Sequence, residues 1–314
     1  MKKTIVLALL ILLGYLVTDS IVFLGLRYLD KNVYTGQTSG KVNQFLGLKD
    51  SVNTLVFGSS RANHHIDILE LDSSAFNMGV DATKIGYAAA LIETLTKKNQ
   101  QIFVHIDQNS LLDPDNSYTG KDCLSLINLV DREEGIRSVI EELFPEELSI
   151  LKISKSYAYN GKTLGFFKNY FKPSYDYKKY HGYDPLVPNE TQKEVFLDLW
   201  NNKGRDSIGY NHIIGINPLV EKLIDRIKKK CLENESSLVF FTSPTLNHIN
   251  PALIERTQNF FESKNIRYYD YTYVFNNFNP EYWKDFTHLS ARGANQFTLH
   301  LKSNLTTYNK KQMD

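Results

Sequence analysis

Cysteine is almost missing from this chain of 314 residues: there are two, Cys123 and Cys231, far apart and without the paired spacing of a zinc or dithiol redox site. That scarcity excludes a cysteine-built metal centre and a small disulfide-dense fold. It leaves either one disulfide, should the domain lie outside the cytoplasm, or two free thiols. An excess of charge is missing too. Lys and Arg number 36 against 35 Asp and Glu, so no global field recruits nucleic acid or an anionic surface, and no nucleic-acid partner is expected. Neither Gly-x-x-x-x-Gly-Lys-Ser/Thr nor Gly-x-Gly-x-x-Gly occurs, so a nucleotide cofactor has no visible site and none is expected. Gly-x-Ser-x-Gly is absent as well, which argues against an α/β-hydrolase elbow.

What is present is a chain that is 42% hydrophobic, enough to bury one sizeable core once a short N-terminal segment is set aside. Aromatics are abundant, with 19 Tyr and 18 Phe, and seven of the Tyr cluster between positions 157 and 183 in the middle of the chain, either as a carbohydrate-stacking surface or as a Tyr-rich loop packed on itself.

Met1-Lys2-Lys3 precedes an apolar run over residues 4–26 that closes at Arg27. At ~1.5 Å per residue such a run spans a hydrocarbon core of roughly 30 Å. No small-x-small cleavage site follows, so residues 1–27 are expected to be an uncleaved signal anchor rather than a removed signal peptide. Lys2 and Lys3 put the N-terminus in the cytoplasm and the rest outside, although Arg27 and Lys31 weaken the asymmetry. Asp19 interrupts the run; at the bilayer centre it would cost about 2.5–3.5 kcal/mol, and less in the outer half where it lies.

Residues 28–50 read as a polar linker. Short apolar runs at 53–57, 75–78, 101–106, 237–242 and 266–271 read as strands, with helical periodicity at 61–69, 84–97, 135–143, 218–233 and 251–263 and a closing helix from about 290. Strands alternating with helices of this length imply parallel βαβ units. The alternation lapses between about 110 and 210, a helical, Tyr-rich stretch read as an insertion over the C-terminal edge of the sheet, where variable loops shape substrate sites.

Two segments carry chemistry. Gly58-Ser59-Ser60-Arg61 follows the first strand, where glycine permits a sharp turn and a serine at the next helix start meets backbone N–H groups that favour negative charge. The plain alternative is that Ser59 or Ser60 caps the helix. Near the other end, Asp285-Phe286-Thr287-His288 sets a carboxylate three residues before an imidazole. It can turn back, fix the tautomer, and stabilise an imidazolium formed when the other ring nitrogen takes a serine proton. Its plain alternative is a helix start with His288 on the surface. Arg61 either holds an anionic substrate group or is a solvated first-turn residue. His64 and His65 point about 100° apart on a helix and lack a carboxylate cluster, so no metal is assigned.

Together the Gly-Ser-Ser turn and the segment from Asp285 through Ala294 resemble the first and last sequence blocks of the SGNH/GDSL hydrolases. Residues 52–305 carry the resemblance apart from the insertion, and the last block is its most specific part. The resemblance implies Ser60 as nucleophile, with Ser59 where Asp is usual, His288 as general base and Asp285 as its orienting partner. Phe76-Asn77-Met78-Gly79 is similar to the second block, which implies that Gly79 N–H joins Ser60 N–H as an oxyanion donor. The third block departs: Ile106-Asp107-Gln108-Asn109 stands for Gly-x-Asn-Asp, leaving Asn109 or Asp107 to complete the oxyanion hole.

The expected fold class is therefore α/β, a three-layer α/β/α sandwich around a mostly parallel sheet of about five strands, SGNH/flavodoxin-like, with an N-terminal transmembrane helix. The resemblance implies an SGNH hydrolase-like domain over residues 51–308, with the helical, Tyr-rich insertion at about 110–210. The anchor and the Gly-Ser-Ser variant resemble the cell-envelope branch, near proteins of alginate O-acetylation and teichoic-acid D-alanylation. That implies a serine esterase or O-acyltransferase on an acylated glycan or small ester, with envelope-assembly proteins as partners. The competing class is a non-catalytic SGNH-fold binding or scaffold protein in envelope polysaccharide assembly.

Overall fold

Five short apolar runs become five strands, β1 (Thr54–Phe57), β2 (Ala75–Asn77), β3 (Gln101–His105), β4 (Ser237–Thr242) and β5 (Arg267–Asp270), in a sheet ordered β2-β1-β3-β4-β5. Every pairing is parallel, with Val56 opposite Phe103 and Val104 opposite Phe240. The computed structural model describes residues 1–114, 120–174, 176–203, 215–275 and 277–311.

Around the sheet run α1 (Lys2–Lys31), α2 (Lys41–Leu48), α3 (Ser60–His65), α4 (Ile68–Leu71), α5 (Ile85–Ile92), α6 (Gln108–Leu112), α7 (Glu134–Leu143), α8 (Pro145–Ile153), α9 (Thr163–Phe171), α10 (Tyr177–Tyr180), α11 (Glu190–Lys203), α12 (Pro218–Glu233), α13 (Pro251–Ser263) and α14 (Ala291–Lys311). Strand side chains alternate between faces, so the core divides in two. Leu55, Phe57, Ile102, Val104 and Phe240 pack toward α2, α5, α12 and α13. Val56, Phe103, Val239 and Phe241 pack toward α3, α4 and α14. The result is the expected three-layer α/β architecture, and β1 and β3 part at the point where the strand order reverses, which is where such folds open a crevice.

Helix α1 is long and apolar enough to cross a membrane. Its C-terminal half is not free, however. Asp19, Phe23 and Asp30 are buried against the domain.

Residues 28–50 are not an open linker: α1 continues to Lys31, a π-helical turn spans Gly36–Gly40, and α2 follows. The polar composition that suggested a linker serves the turn itself. Asn43 Nδ2 donates to the carbonyls of Asp30 at 2.5 Å and Val33 at 3.0 Å, while Val33, Val42 and Phe45 enter the core. The helix expected at 61–69 is two, because Ile66 and Asp67 are extended and Asp67 N–H donates to Thr298 Oγ1 of α14 at 2.9 Å.

The stretch expected as a cap divides. A 3-10 helix (Lys121–Leu129) and α7 pack on α5, and a second 3-10 helix (Lys155–Tyr159) and α9 pack on α1. Among the described residues, the later part crosses the C-terminal edge, where His181 O accepts from Asn77 N–H at 3.0 Å and Phe196 of α11 packs on Phe286. Residues 115–119, Tyr175 and residues 204–210 of that stretch lie outside the described residues. Cys123 and Cys231 are separate buried thiols, each pushed up to about 12 by burial.

Candidate active site

Strand β1 delivers its chain to a turn that only glycine fits: Gly58 has φ +140°, and a Cβ there would sit 2.7 Å from His105 Cβ. Ser59 takes the N-cap position of α3 but makes no capping hydrogen bond; its Oγ lies 3.4 Å from His105 Nδ1. Ser60 is the first residue of α3, so its N–H is among the first-turn donors that have no intrahelical acceptor.

The opposing wall is the loop between the 3-10 turn Pro280–Tyr282 and α14. Asp285 Oδ1 accepts from Thr287 N–H at 2.8 Å and from His288 N–H at 2.9 Å, curling the loop back on its own carboxylate. Buried Trp283 pairs with Leu289 across the curl. Leu289 N–H donates to His65 Nε2 at 3.0 Å, which ties this loop to α3.

Across that tie, His288 Nε2 lies 2.9 Å from Ser60 Oγ, and His288 Nδ1 lies 3.0 Å from Asp285 Oδ2. With the ring proton on Nδ1, donating to the carboxylate, the Nε2 lone pair faces the serine hydroxyl and accepts from it; the tautomer is assigned from these partners. Burial alone would raise the Asp285 carboxyl. The hydrogen bonds and charge of His288 and the two backbone donors outweigh it and hold the group at about 2, ionised at any ordinary pH. Hydroxyl, imidazole and carboxylate thus stand in the order of a Ser-His-Asp relay, with Ser60 and His288 partly open to solvent.

The expected accessory residues fare differently. Gly79 N–H donates to Asn77 Oδ1 at 2.9 Å, so this donor is taken within its own turn. The glycine is required there for another reason. A Cβ at Gly79 would meet the Asn63 backbone N at 2.4 Å, because the turn after β2 presses directly on α3. Arg61 pairs with Asp107, and burial brings its guanidinium down to about 10. Of the two third-block alternatives, Asp107 is engaged by Arg61, and Asn109, in the first turn of α6, has a buried Oδ1 with no hydrogen-bond partner, an acceptor atom that cannot itself serve an oxyanion.

Several contacts near the relay were not anticipated. The rings of His64 and His65 stand edge-on to His288, with centroids 5.9 and 6.1 Å away. His64 Nδ1 donates to Asp184 O at 2.6 Å while Nε2 lies 3.0 Å from Asp81 Oδ1. Burial disfavours its charge, but both ring nitrogens face acceptors, and the balance raises its pKa. Lys41, fully buried, donates to Asn63 Oδ1 at 2.6 Å and to Gly79 O. A His-His pair gives no sign of such roles in sequence, and nothing marks Lys41 as a core residue.

Among the described residues no group of three His, Cys, Asp or Glu side chains is placed to hold a metal ion. A cleft of about 250 Å³ lined by Val195, Phe196, Leu199 and Phe286 adjoins Asp285, whereas a larger one, about 390 Å³, lies away from the relay beside Phe23 of α1. Compared with known proteins, the chain matches no protein-family model and no curated protein, so any reading of its function rests on this geometry.

Proposed function

We propose that this chain is a membrane-anchored serine esterase or O-acyltransferase of the SGNH/GDSL kind, working on an acylated substrate of the cell envelope. The observation that carries the reading is the 2.9 Å approach of Ser60 Oγ to His288 Nε2, with Asp285 on the far ring nitrogen. His288 takes the hydroxyl proton as Ser60 Oγ bonds to the ester carbonyl carbon. The tetrahedral intermediate collapses, the leaving alcohol takes the proton from His288, and an acyl-serine remains. Water as second acceptor gives an esterase, and a glycan hydroxyl gives a transferase. Ser60 N–H is the backbone donor this reading assigns to the oxyanion, and Asn109 Nδ2, an amide N–H that Asp107 lacks, is its side-chain candidate.

Lys2 and Lys3 ahead of α1 favour a cytoplasmic N-terminus and an extracytoplasmic domain, where acylated envelope glycans lie. The full chain in detergent, given an aryl acetate with and without an oligosaccharide acceptor, tests the chemistry. Aryl alcohol release that is equal in wild type and Ser60→Ala would refute the relay.

One observation favours a second reading, a non-catalytic scaffold: Gly79 N–H is occupied by Asn77, which leaves the oxyanion set thin. A serine-directed fluorophosphonate separates the two, since a scaffold leaves Ser60 unlabelled in the folded protein.

A further inference from the structure

Asp19 lies eight positions before Arg27, which at ~1.5 Å per residue places it about 12 Å inside the outer end of the apolar run. It is nevertheless buried. Ser154 Oγ and Ser156 Oγ donate to Oδ1 at 2.7 and 2.6 Å, and Lys155 N–H donates to Oδ2 at 2.8 Å. The bend between α8 and the following 3-10 helix therefore descends along α1 to the level of a residue within the membrane run. Phe23 of α1 continues the contact onto Tyr159, ring centroids 5.9 Å apart.

The flanks of that bend are apolar on the outside. Ile153 is 69% exposed, Leu164 85% and Phe171 70%, and Phe167 is exposed between them. Positions 164, 167 and 171 share one helical face, and Phe167 and Phe171 stack on it with near-parallel rings. The opposite face holds Phe166, buried against Tyr159. Helix α9 thus uses one apolar face for the core and leaves a second without a partner among the described residues, with Lys168 and Lys172 along its edge; Glu146 and Glu147 open the same stretch in α8, and Lys152 and Lys155 follow them. Beside it, the 390 Å³ cleft is lined by Phe23, Leu148 and Leu151 together with Arg137, Lys152 and Lys155 and the acids Asp131 and Glu141, an amphipathic lining of mixed charge.

We propose that residues 145–171 form a monotopic membrane element that seats its exposed apolar face among the lipids around the outer end of α1. Continuity with a membrane-length helix fixes the occupant as lipid, since a surface hydrogen-bonded to Asp19 shares that residue's depth, and cationic residues at the edge of an apolar helix face suit anionic headgroups. The ectodomain is then held at two points, and the Ser60–His288 site keeps a fixed height over the bilayer. The inference uses the anchor role of α1 and is independent of the ester chemistry.

The test reconstitutes the full chain in liposomes of phosphatidylcholine and phosphatidylglycerol with acyl chains brominated near the carbonyl. An environment-sensitive fluorophore is attached in turn to Leu164→Cys, Phe171→Cys, Val17→Cys within α1, and Leu69→Cys on the other side of the sheet; the native cysteines are buried. Quenching at positions 164 and 171 is expected to match that at 17, with none at 69. Quenching at 17 but not at 164 or 171 overturns the proposal. So does loss at none of the four, which also removes α1 from the bilayer. Shielding of 164 from aqueous quencher in native membranes but not in pure lipid identifies a protein occupant and overturns it too.

Discussion

Ser60 Oγ and His288 Nε2 stand 2.9 Å apart although 228 positions separate them along the chain. Parallel strands bring this about, because β1 releases Ser60 at the same edge of the sheet to which the chain returns after β5, and the His65–Leu289 bond closes the gap. Ser60→Ala is expected to lower aryl-ester hydrolysis by roughly 10³-fold or more and to abolish fluorophosphonate labelling. Ser59→Ala, whose hydroxyl faces His105 instead, should keep most of both. Equal loss in the two variants would mean that the turn matters and the hydroxyl does not.

Asp285→Asn should keep the loop but present an amide to His288, favouring the wrong tautomer; hydrolysis is expected to fall by about 10³–10⁴-fold. The same change reads out in stability. The folded carboxyl sits at about 2 against an ordinary 3.8, so its stabilising contribution is complete above the ordinary value and disappears as pH falls through the folded one. Denaturant midpoints of wild type and variant should therefore differ most near neutrality and converge toward about pH 2. A gap that is constant down to that pH would show that the carboxylate charge is not what holds the loop.

Asn77 is fully buried, and its Nδ2 donates to Ala62 O at 2.8 Å and Ile66 O at 3.0 Å while its Oδ1 holds Gly79 N–H. Asn77→Ala strands those carbonyls at the end of α3 and is expected to cost about 1–3 kcal/mol, seen as a lowered thermal midpoint. Its effect on rate is the more telling measurement. Release of Gly79 N–H would offer the oxyanion a second donor, so activity per folded molecule that holds or rises points to an oxyanion role, and a fall points to α3 positioning alone.

The parts of this architecture that repeat with a period were legible in the chain. The runs at 237–242, 218–233 and 251–263 coincide with β4, α12 and α13 because apolar spacing and flanking Ser, Pro and Asn mark their ends. Ser60, Asp285 and His288 were singled out as one set by the resemblance of their two segments to hydrolase blocks, and their side chains do meet. What resisted reading was polar residues with structural duties. Asn43 and Lys41 looked like linker, yet one caps the turn after α1 and the other lies in the core, and Gly79 carried a signal whose cause is the close approach of α3. Hydropathy cannot distinguish a polar side chain that meets water from one that meets a carbonyl.

Lys41 offers the sharpest test of that last point. Burial lowers its ammonium from 10.5 to about 7, with Asp184 and Asp81 opposing only in part. Below about pH 7 the folded and unfolded chains both hold the proton, and the full penalty of a buried charge is present. Between about 7 and 10.5 the unfolded chain binds the proton and the folded one gives it up, so stability contributed at this residue rises with pH. Lys41→Met removes the titration along with the bonds to Asn63 and Gly79 O. Wild type measured against the variant, in detergent and by urea midpoint, should therefore gain ground steadily as pH is raised from neutrality toward about 10, all other titrating groups being common to both. A difference that does not change with pH over that interval would show that Lys41 keeps its proton when folded, sustained by Asp81 and Asp184. The contact from α2 to the turn beside His64 would then be ionic rather than a neutral hydrogen bond.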